Sequence, residues 1–330
     1  MTSADRVTAS DVARRAGVSR ATVSYVLNRG SKYPVAELTR QRVLRAAGEL
    51  GYSPSMSARN LRGKRELVLA IMPNWPFGLN SSRFFTSLDD AFAARGLTFL
   101  IRYVDPRGFS PEHLWRAMSP AAVLSFLEIE PAAVAQAQRE GVSVTMAVFD
   151  RRHDASHVNL PEQATGGLQA AHLADSGRRS LAMATTTNAR LDAFALPRLQ
   201  GVREVCAERG LTPPRAVYFD LSPEQAQRGV ANLYHDGVDG ICCYNDEVAL
   251  AVLAGARLSG IRVPEQLAVI GVDDDPIAAL SFPTLTTVRL DVAQDAARIA
   301  GAVVAGILGR GPDPLPENHN IATLIKRGST

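Results

Sequence analysis

Apolar residues in the first fifty positions recur three and four apart, the spacing of one helix face. Val12, Ala13 and Ala16 form the first such run, Val23, Val26 and Leu27 the second, and Val43, Leu44, Ala47 and Leu50 the third, within "VAELTRQRVLRAAGELGY". The stops between them are equally legible. In "TASD", Thr8 can accept from the amide of Asp11 while the Asp11 carboxylate reaches back to the amide of Thr8, a capping box that starts the first helix. Gly17 ends that helix where a positive φ is cheap, Val18 fills the turn, and Ser19 is set to cap the second helix. Two helices joined this tightly predict a helix-turn-helix, closed into a small core by the third. Ala13 sits where the first two helices cross, so a longer side chain there would force them apart.

From Glu66 onward the periodicity changes. Short apolar runs, "LVLAIM", "LTFLIRY", "AAVLSF" and "VSVTMAVF", alternate with helical stretches such as "RFFTSLDDAFAARG" and "PAAVAQAQREG". The rhythm then repeats, with "SLAMAT", "AVYF", "GICCY" and "LAVIGV" among "PEQATGGLQAAHLADSG", "LPRLQGVREVCAERG" and "DEVALAVLAGARLSG". Strands covered on both faces read as continuous apolar runs, so the pattern predicts parallel sheets flanked by helices in two similar lobes. Ligands of open α/β sheets bind beyond the carboxyl ends of the strands, which puts the expected site in a crevice between the lobes.

Composition narrows the function. The 330 residues are 46% hydrophobic and 21% charged, ordinary for a folded chain of two or three domains. "MTSADRVTASDV" has no apolar run suited to a signal peptide, and no later stretch approaches the roughly 18 apolar residues of a membrane span, so a cytoplasmic protein with no membrane partner is expected. Cys206, Cys242 and Cys243 read as buried free thiols rather than a disulfide or metal site. The net charge of +3 hides an asymmetry: residues 1–65 hold 13 Lys and Arg against 4 Asp and Glu, a net of +9, and the remainder carries −6. Concentrated positive charge draws a polyanion through Coulomb forces and counterion release; a nucleic acid is the expected partner, and a solvated basic face the alternative. No GxSxG, HExxH or P-loop pattern is present, and the histidines, including His153 and His157 in "RRHDASH", lack clear ligand spacing. The run Asp273, Asp274 and Asp275 reads as one crevice residue and two turn residues rather than a cation site. No enzyme activity, cofactor or metal is expected.

In a helix-turn-helix the second helix enters the major groove with its N-terminal residues at the base edges. With Val23, Val26 and Leu27 turned inward, Arg20, Ala21, Ser24 and Tyr25 face outward. Arg20 can pair bidentately with guanine, Ala21 can touch a thymine methyl, and Tyr25 can reach a base or a phosphate. Ser19 and Thr22 suit backbone phosphates, and Thr8, Asn28 and Arg29 complete the candidate DNA contacts of this region. A helical hairpin serving only as packing is the alternative. The following "PSMSARNLRG" is too short for a stable isolated helix and should order only against a partner. Met56, Ala58 and Leu61 give it a thin apolar stripe, an apolar wedge such as Leu61 can unstack a base step on bent DNA, and Arg59, Arg62, Lys64 and Arg65 suit phosphates. A flexible linker is the alternative there.

The same residues resemble a known family. "VTASDVARRAGVSRATVSYVLN" followed by "LTRQRVLRAAGELGYSPSMSARNLRG" is similar, over about sixty residues, to the DNA-binding headpiece and hinge of the LacI/GalR family of bacterial transcriptional regulators. The resemblance implies base recognition by Arg20, Ala21 and Tyr25. It also implies a hinge that becomes helical on operator DNA, with Leu61 of each subunit opening a central base step in the minor groove. "SGRRSLAM", "LPRLQGVREV", "YNDEVALAVL", "LAVIGVDDDPIAALSFPTLTTVRLD" and "LIKRGS" resemble, more patchily, the family's effector domain, a fold shared with periplasmic sugar-binding proteins. The implied fold class is α/β: a helix-turn-helix headpiece over 1–53, a hinge over 54–65, and a two-lobed, type I periplasmic-binding-protein-like domain with parallel sheets over 66–330. Lobe 1 is expected at about 66–160 and 291–320 and lobe 2 at about 161–290 and 321–330, with crossovers near 160, 290 and 320.

By position, the resemblance implies Arg198 in "RLQG", Asn245 in "YND" and Asp273 in "VDDD" as effector ligands, with Asp150 at the end of "TMAVFD" a fourth. A guanidinium, an amide and a carboxylate each offer two atoms in one plane, suited to adjacent hydroxyls of a sugar or the edge of a base. Helix capping by Asn245 and Asp246 and a turn role for Asp273 are the structural alternatives. Leu221 in "FDLS" stands where relatives often carry a stacking aromatic, and Trp75 or Phe77 in "PNWPFG" can supply one instead. Arg178 replaces a usual histidine, outside the pocket. The expected function is a repressor acting as a homodimer on a palindromic operator, its affinity changed by a small-molecule effector such as a sugar. A dimer is expected over a tetramer because no further oligomerisation segment follows "LIKRGST". A ligand-independent DNA-binding activator or architectural protein, and a ligand-binding protein whose basic front end binds RNA, stay open.

Overall fold

The computed structural model describes residues 7–27, 35–52, 65–76, 78–105, 110–148, 157–160, 162–310 and 322–330. Asn28, Arg29, Ala58, Leu61, Arg62, Phe77 and Asp150 lie outside them. The chain divides into two units, Met1–Arg65 and Glu66–Thr330.

The first unit is built as its apolar spacing requires. Helix α1 (Ala9–Ala16) opens on the capping box, the Thr8 amide donating to Asp11 Oδ2 at 2.9 Å and the Asp11 amide to Thr8 Oγ1 at 3.4 Å. It closes at Gly17, whose φ of 64° is one that side chains resist. Helix α2 (Arg20–Leu27) starts with Ser19 Oγ accepting from the Thr22 amide at 3.1 Å, and α3 (Glu37–Glu49) follows. Val12, Ala13, Ala16, Val23, Val26 and Val43 fill the core between the three helices. One expectation fails: Leu44 is 47% exposed, and Ala46 takes its place in the core. Val43, Ala46 and Ala47 hold one face of α3, and a residue next to Val43 is turned about 100° away from it. Arg15 reaches from α1 to Glu49 of α3 at 2.8 Å, but the pair is exposed, so the apolar core holds the unit together.

The second unit has two sheets. The first contains β1 (Leu67–Pro73), β2 (Thr98–Val104), β3 (Ala122–Ser125), β4 (Ser143–Val148) and β5 (His157–Asn159), in the order β2-β1-β3-β4-β5 with every pair parallel. Strand residues alternate between two cores. Val68, Met72 and Leu124 pack with Leu88 and Phe92 of α4 (Leu79–Ala93). Leu69, Ile71 and Val123 pack with Trp115 of α5 (Glu112–Met118) and Ala137 of α6 (Pro131–Arg139).

The second sheet follows α7 (Glu162–Asp175) and comprises β6 (Leu181–Thr186), β7 (Arg215–Phe219), β8 (Gly240–Cys243), β9 (Ala268–Val272), β10 (Thr286–Leu290) and β11 (Ala322–Ile325). Its helices are α7, α8 (Asp192–Glu208), α9 (Pro223–His235) and α10 (Asp246–Leu258). The order is β11-β10-β9-β8-β6-β7, parallel except that β11 runs antiparallel to β10. Helix α11 (Val292–Ile307) returns to the first sheet, where Ile299 and Val303 join the core beside α4. The chain thus passes between lobes three times: from β5 to α7, from β10 to α11, and from α11 to β11. Strand β11 lies beside β10 at the edge of the sheet and is its one antiparallel strand among the described residues. Cys206, Cys242 and Cys243 lie in the core of the second lobe, where burial pushes their thiols above the ordinary range.

Backbone proximity sets the register of α7 against α8. A Cβ on Gly166 would collide with the Arg198 carbonyl, and one on Gly201 with the Gln163 carbonyl. Two glycines facing across the contact let the helices approach to backbone distance, and that approach fixes where Arg198 stands.

Candidate nucleic-acid interface and ligand cavity

On α2 the two faces separate cleanly. Val23 and Val26 are buried, whereas Arg20, Ala21 and Tyr25 are exposed and Ser24 and Thr22 are intermediate. Ser19 Oγ and Thr22 Oγ1 lie 2.9 Å apart and bond to each other, so at rest both hydroxyls serve the start of the helix. Thr8 is exposed at the N-terminus of α1, its hydroxyl donating to Asp11 Oδ2 at 2.6 Å. The exposed row on α2 presents a guanidinium, a methyl and a phenol, groups matched to base edges and phosphates.

In the second unit a cavity of about 210 Å³ opens between the two lobes. Lobe 1 lines it with Trp75 after β1, Phe84 and Phe85 on α4, and Phe126 after β3; lobe 2 adds Phe194. These rings form one edge-to-face cluster: Trp75 to Phe194 is 4.8 Å between centroids, Trp75 to Phe126 5.7 Å, and Phe85 to Phe126 5.9 Å. Trp75 therefore stands in the cavity wall. Leu221 is 60% exposed and does not line the cavity, so the aromatic wall comes from lobe 1 and α8 instead.

The polar wall gathers Arg198, Asn245 and Asp273 from α8, the start of α10 and the end of β9. Arg198 is 4% exposed; its Nε donates to Glu162 Oε2 at 2.5 Å, its Nη1 to the Tyr244 carbonyl, and its guanidinium lies 4.9 Å over the Tyr244 ring. Burial works against its charge, yet Glu162, Tyr244 and Asp273 more than offset that and hold Arg198 above its ordinary value. Asn245 Oδ1 accepts from the Val248 amide at 3.0 Å, so the residue caps α10 and lines the cavity at once.

Asp273 adopts φ 113° and Asp274 φ 49°, both in the region that disfavours side chains. The turn is anchored around them: the Asp273 amide donates to Val288 O at 2.9 Å, and Asp274 accepts from Arg327 at 2.5 Å and Arg289 at 2.7 Å. Asp273 Oδ1 accepts from Asn80 Nδ2 of the opposite lobe at 2.9 Å. Burial, with Asp246 and Glu162 nearby, pushes its carboxyl up to about 7 despite the opposing pull of Arg198 and Asn80. Asp246 is likewise pushed up to about 6 by burial, while Thr287 Oγ1 and the Asp275 amide donate to it at 2.6 and 2.8 Å. Arg178 lies outside the cavity, its Nη2 donating to Pro264 O at 2.6 Å.

Sequence reasoning missed Asn80, Glu162, Tyr244 and the phenylalanines. Tyr244 and Phe126 end the apolar runs "GICCY" and "AAVLSF", so the rule that sites sit at strand carboxyl ends already pointed to them. Glu162 carried the weaker signal of an acid at a helix start.

A family model for bacterial regulatory proteins, lacI family, matches residues 8–55, and one for a periplasmic binding protein-like domain matches residues 170–330. The HTH-type transcriptional repressor PurR of Aliivibrio salmonicida (strain LFI1238) is 27% identical over 294 residues, 86% of each chain. The HTH-type transcriptional regulator AscG of Escherichia coli (strain K12) is 28% identical over 97% of each chain. Among solved structures, a complex of the transcriptional regulator CelR with cellobiose shares 26% identity and a TM-score of 0.65, covering 98% of this chain and 100% of that one. The lac repressor dimer bound to operator and the anti-inducer ONPF shares 22% identity and a TM-score of 0.79, covering 98% and 99%. Among the described residues no helix is long and apolar enough to cross a membrane.

Proposed function

The chain belongs to the LacI family of bacterial regulatory proteins, and from that premise we propose that it is a cytoplasmic transcriptional repressor whose grip on DNA answers to a small molecule held between its lobes. It is a DNA-binding regulator and not an enzyme, and it acts as a homodimer on a palindromic operator. Residues 1–53 serve as the headpiece, 54–65 as the hinge and 66–330 as the effector domain. Arg20, Ala21, Ser24 and Tyr25 face the major groove, Tyr25 toward a base or a phosphate; Thr8, Ser19, Thr22, Asn28 and Arg29 complete the headpiece contacts; in the hinge, Leu61 wedges the minor groove beside Ala58 and Arg62 meets phosphates.

The effector is a sugar or related metabolite bound by Arg198, Asn245 and Asp273, with Trp75 on the apolar wall; Asp150 and Phe77, outside the described residues, are the remaining candidate ligands. The observation that supports this most is the cavity itself: three planar hydrogen-bonding groups from separate parts of the sequence line one cavity together with a cluster of aromatic rings. The experiment is a footprint of the purified dimer on genomic fragments, repeated with sugars, nucleosides and metabolites that raise Tm by mass action. A two-fold symmetric footprint altered by one such compound is the expected result. Duplex binding without sequence preference at physiological salt would overturn the repressor reading.

A further inference from the structure

The following rests on the reading of the cavity as the effector site and adds the charge class of what it admits. Five helix starts, those of α4, α7, α8, α10 and α11, border the cavity. A bare helix start carries roughly +0.5 of a charge and favours an anion. Four of the five here hold an acid in the first turn: Glu162, Asp192, Asp246 with Glu247, and Asp295. A full carboxylate outweighs that partial charge. Glu162, Glu247 and Asp295 line the cavity, and Asp273 joins them.

Against these acids the described lining residues offer one cation, Arg198; its Nε donates to Glu162 and its Nη1 to the Tyr244 carbonyl, so its charge is already balanced by a resident carboxylate. Such a guanidinium would otherwise take a phosphate or carboxylate in a bidentate pair. We propose that Glu162, as the resident counter-anion of Arg198, makes the cavity selective for uncharged hydroxylated ligands and closes it to phosphorylated or carboxylated ones. Hydroxyl groups donate to the carboxylates of Glu162 and Asp273, while an apolar ring face lies against Trp75 and Phe194. An incoming anion meets the repulsion of Asp273 and Glu162, and the charge of Arg198, the one cation among the described lining residues, is already balanced by Glu162.

The test uses the full chain carrying Trp115→Phe, which leaves Trp75 as its one tryptophan and so a reporter of the cavity. Inorganic phosphate is titrated at pH 7.5, with ionic strength held constant by sodium chloride, and both Trp75 emission and Tm are followed. The expected result is no saturable response in this background. Glu162→Gln is expected to gain a saturable response at least tenfold tighter than any in the background, and Glu162→Gln with Arg198→Gln to lose it. A background response as tight as that of Glu162→Gln, or a folded Glu162→Gln that gains nothing, overturns the proposal. Should Glu162→Gln fail to fold, Glu162→Ser removes the same carboxylate at the first position of α7, and absence of a gain there overturns it equally. The effector reading fails by a different result: no uncharged compound that alters operator binding changes Trp75 emission.

Discussion

Arg198 and Glu162 form an ion pair with side chains only 4% and 7% exposed, and that burial fixes the size of the response to breaking it. Arg198→Met leaves the Glu162 carboxylate in the interior without its partner, a change that costs about 3–5 kcal/mol because the remaining charge keeps its desolvation penalty. Glu162→Gln keeps an oxygen to accept from Nε and removes only the charge, so its cost should be nearer the roughly 1.5–3 kcal/mol of a hydrogen bond to a charged group. The double substitution leaves no buried charge from this pair and should cost less than the sum of the two, with a coupling of up to about 3 kcal/mol. At about 2–4 °C per kcal/mol for a domain of this size, Arg198→Met should lower Tm by about 6–20 °C. Thermal unfolding of the full chain at one fixed heating rate, followed by circular dichroism, reads all four members of the cycle. Additive shifts in Tm, or a fall of less than about 3 °C for Arg198→Met, would show that water reaches the pair and that the interior placement is wrong.

Gly201→Ala should separate α7 from α8, since its Cβ meets the Gln163 backbone; we expect a loss of about 1–3 kcal/mol and an effector response lost while operator binding persists. A full effector response in this variant would show that the close approach does not position Arg198. Asp273, raised by burial to about 7, holds in the folded state a proton that the unfolded chain releases near pH 4. Its contribution is therefore fully present below about pH 4 and lost as pH rises through 7, up to about 4 kcal/mol, and Asp246 acts in the same direction toward about 6. Comparing Tm at pH 5 and pH 8 for the wild type and Asp273→Asn should show a smaller fall in the variant; equal falls would refute the shift. Arg20→Ala should cost about 1–3 kcal/mol of operator preference while leaving effector-domain Tm unchanged, as competition binding at fixed salt would report.

How far the sequence reaches depends on whether a feature is local. The Thr8–Asp11 box, Gly17 and the Ser19 cap close within four residues, so their types alone define them. The central strands β1, β3, β8 and β9 are buried, save Pro73 at the end of β1, and read as unbroken apolar runs. The run "LTFLIRY" marks β2 although its residues are exposed or intermediate, whereas β5, β10 and β11 are short, polar or both, so periodicity says little about those three. Asn245 shows why a residue can carry two readings without conflict: capping α10 uses its Oδ1, and the same helix start borders the cavity. Glu162 was beyond reach because its meaning depends on Arg198, 36 residues away, and on two glycines that bring their helices together.

The cavity also explains how a ligand and the lobes can be linked without a long relay. Among the described residues, contacts that cross between lobes near it include Asn80 to Asp273 at 2.9 Å, Trp75 to Phe194 at 4.8 Å between ring centroids, and Arg190 Nη1 to Asn74 O at 3.2 Å. A net hydrogen bond contributes roughly 0.5–1.5 kcal/mol and an aromatic pair about the same beyond its burial. Allosteric coupling energies are typically about 1–3 kcal/mol, so altering one or two of these contacts is enough. Asp273 and Trp75 each belong both to the cavity wall and to the lobe contact. A molecule that hydrogen-bonds to Asp273 or lies against Trp75 therefore acts on the contacts between lobes directly, and a differential affinity for the two lobe arrangements follows from its position in the site.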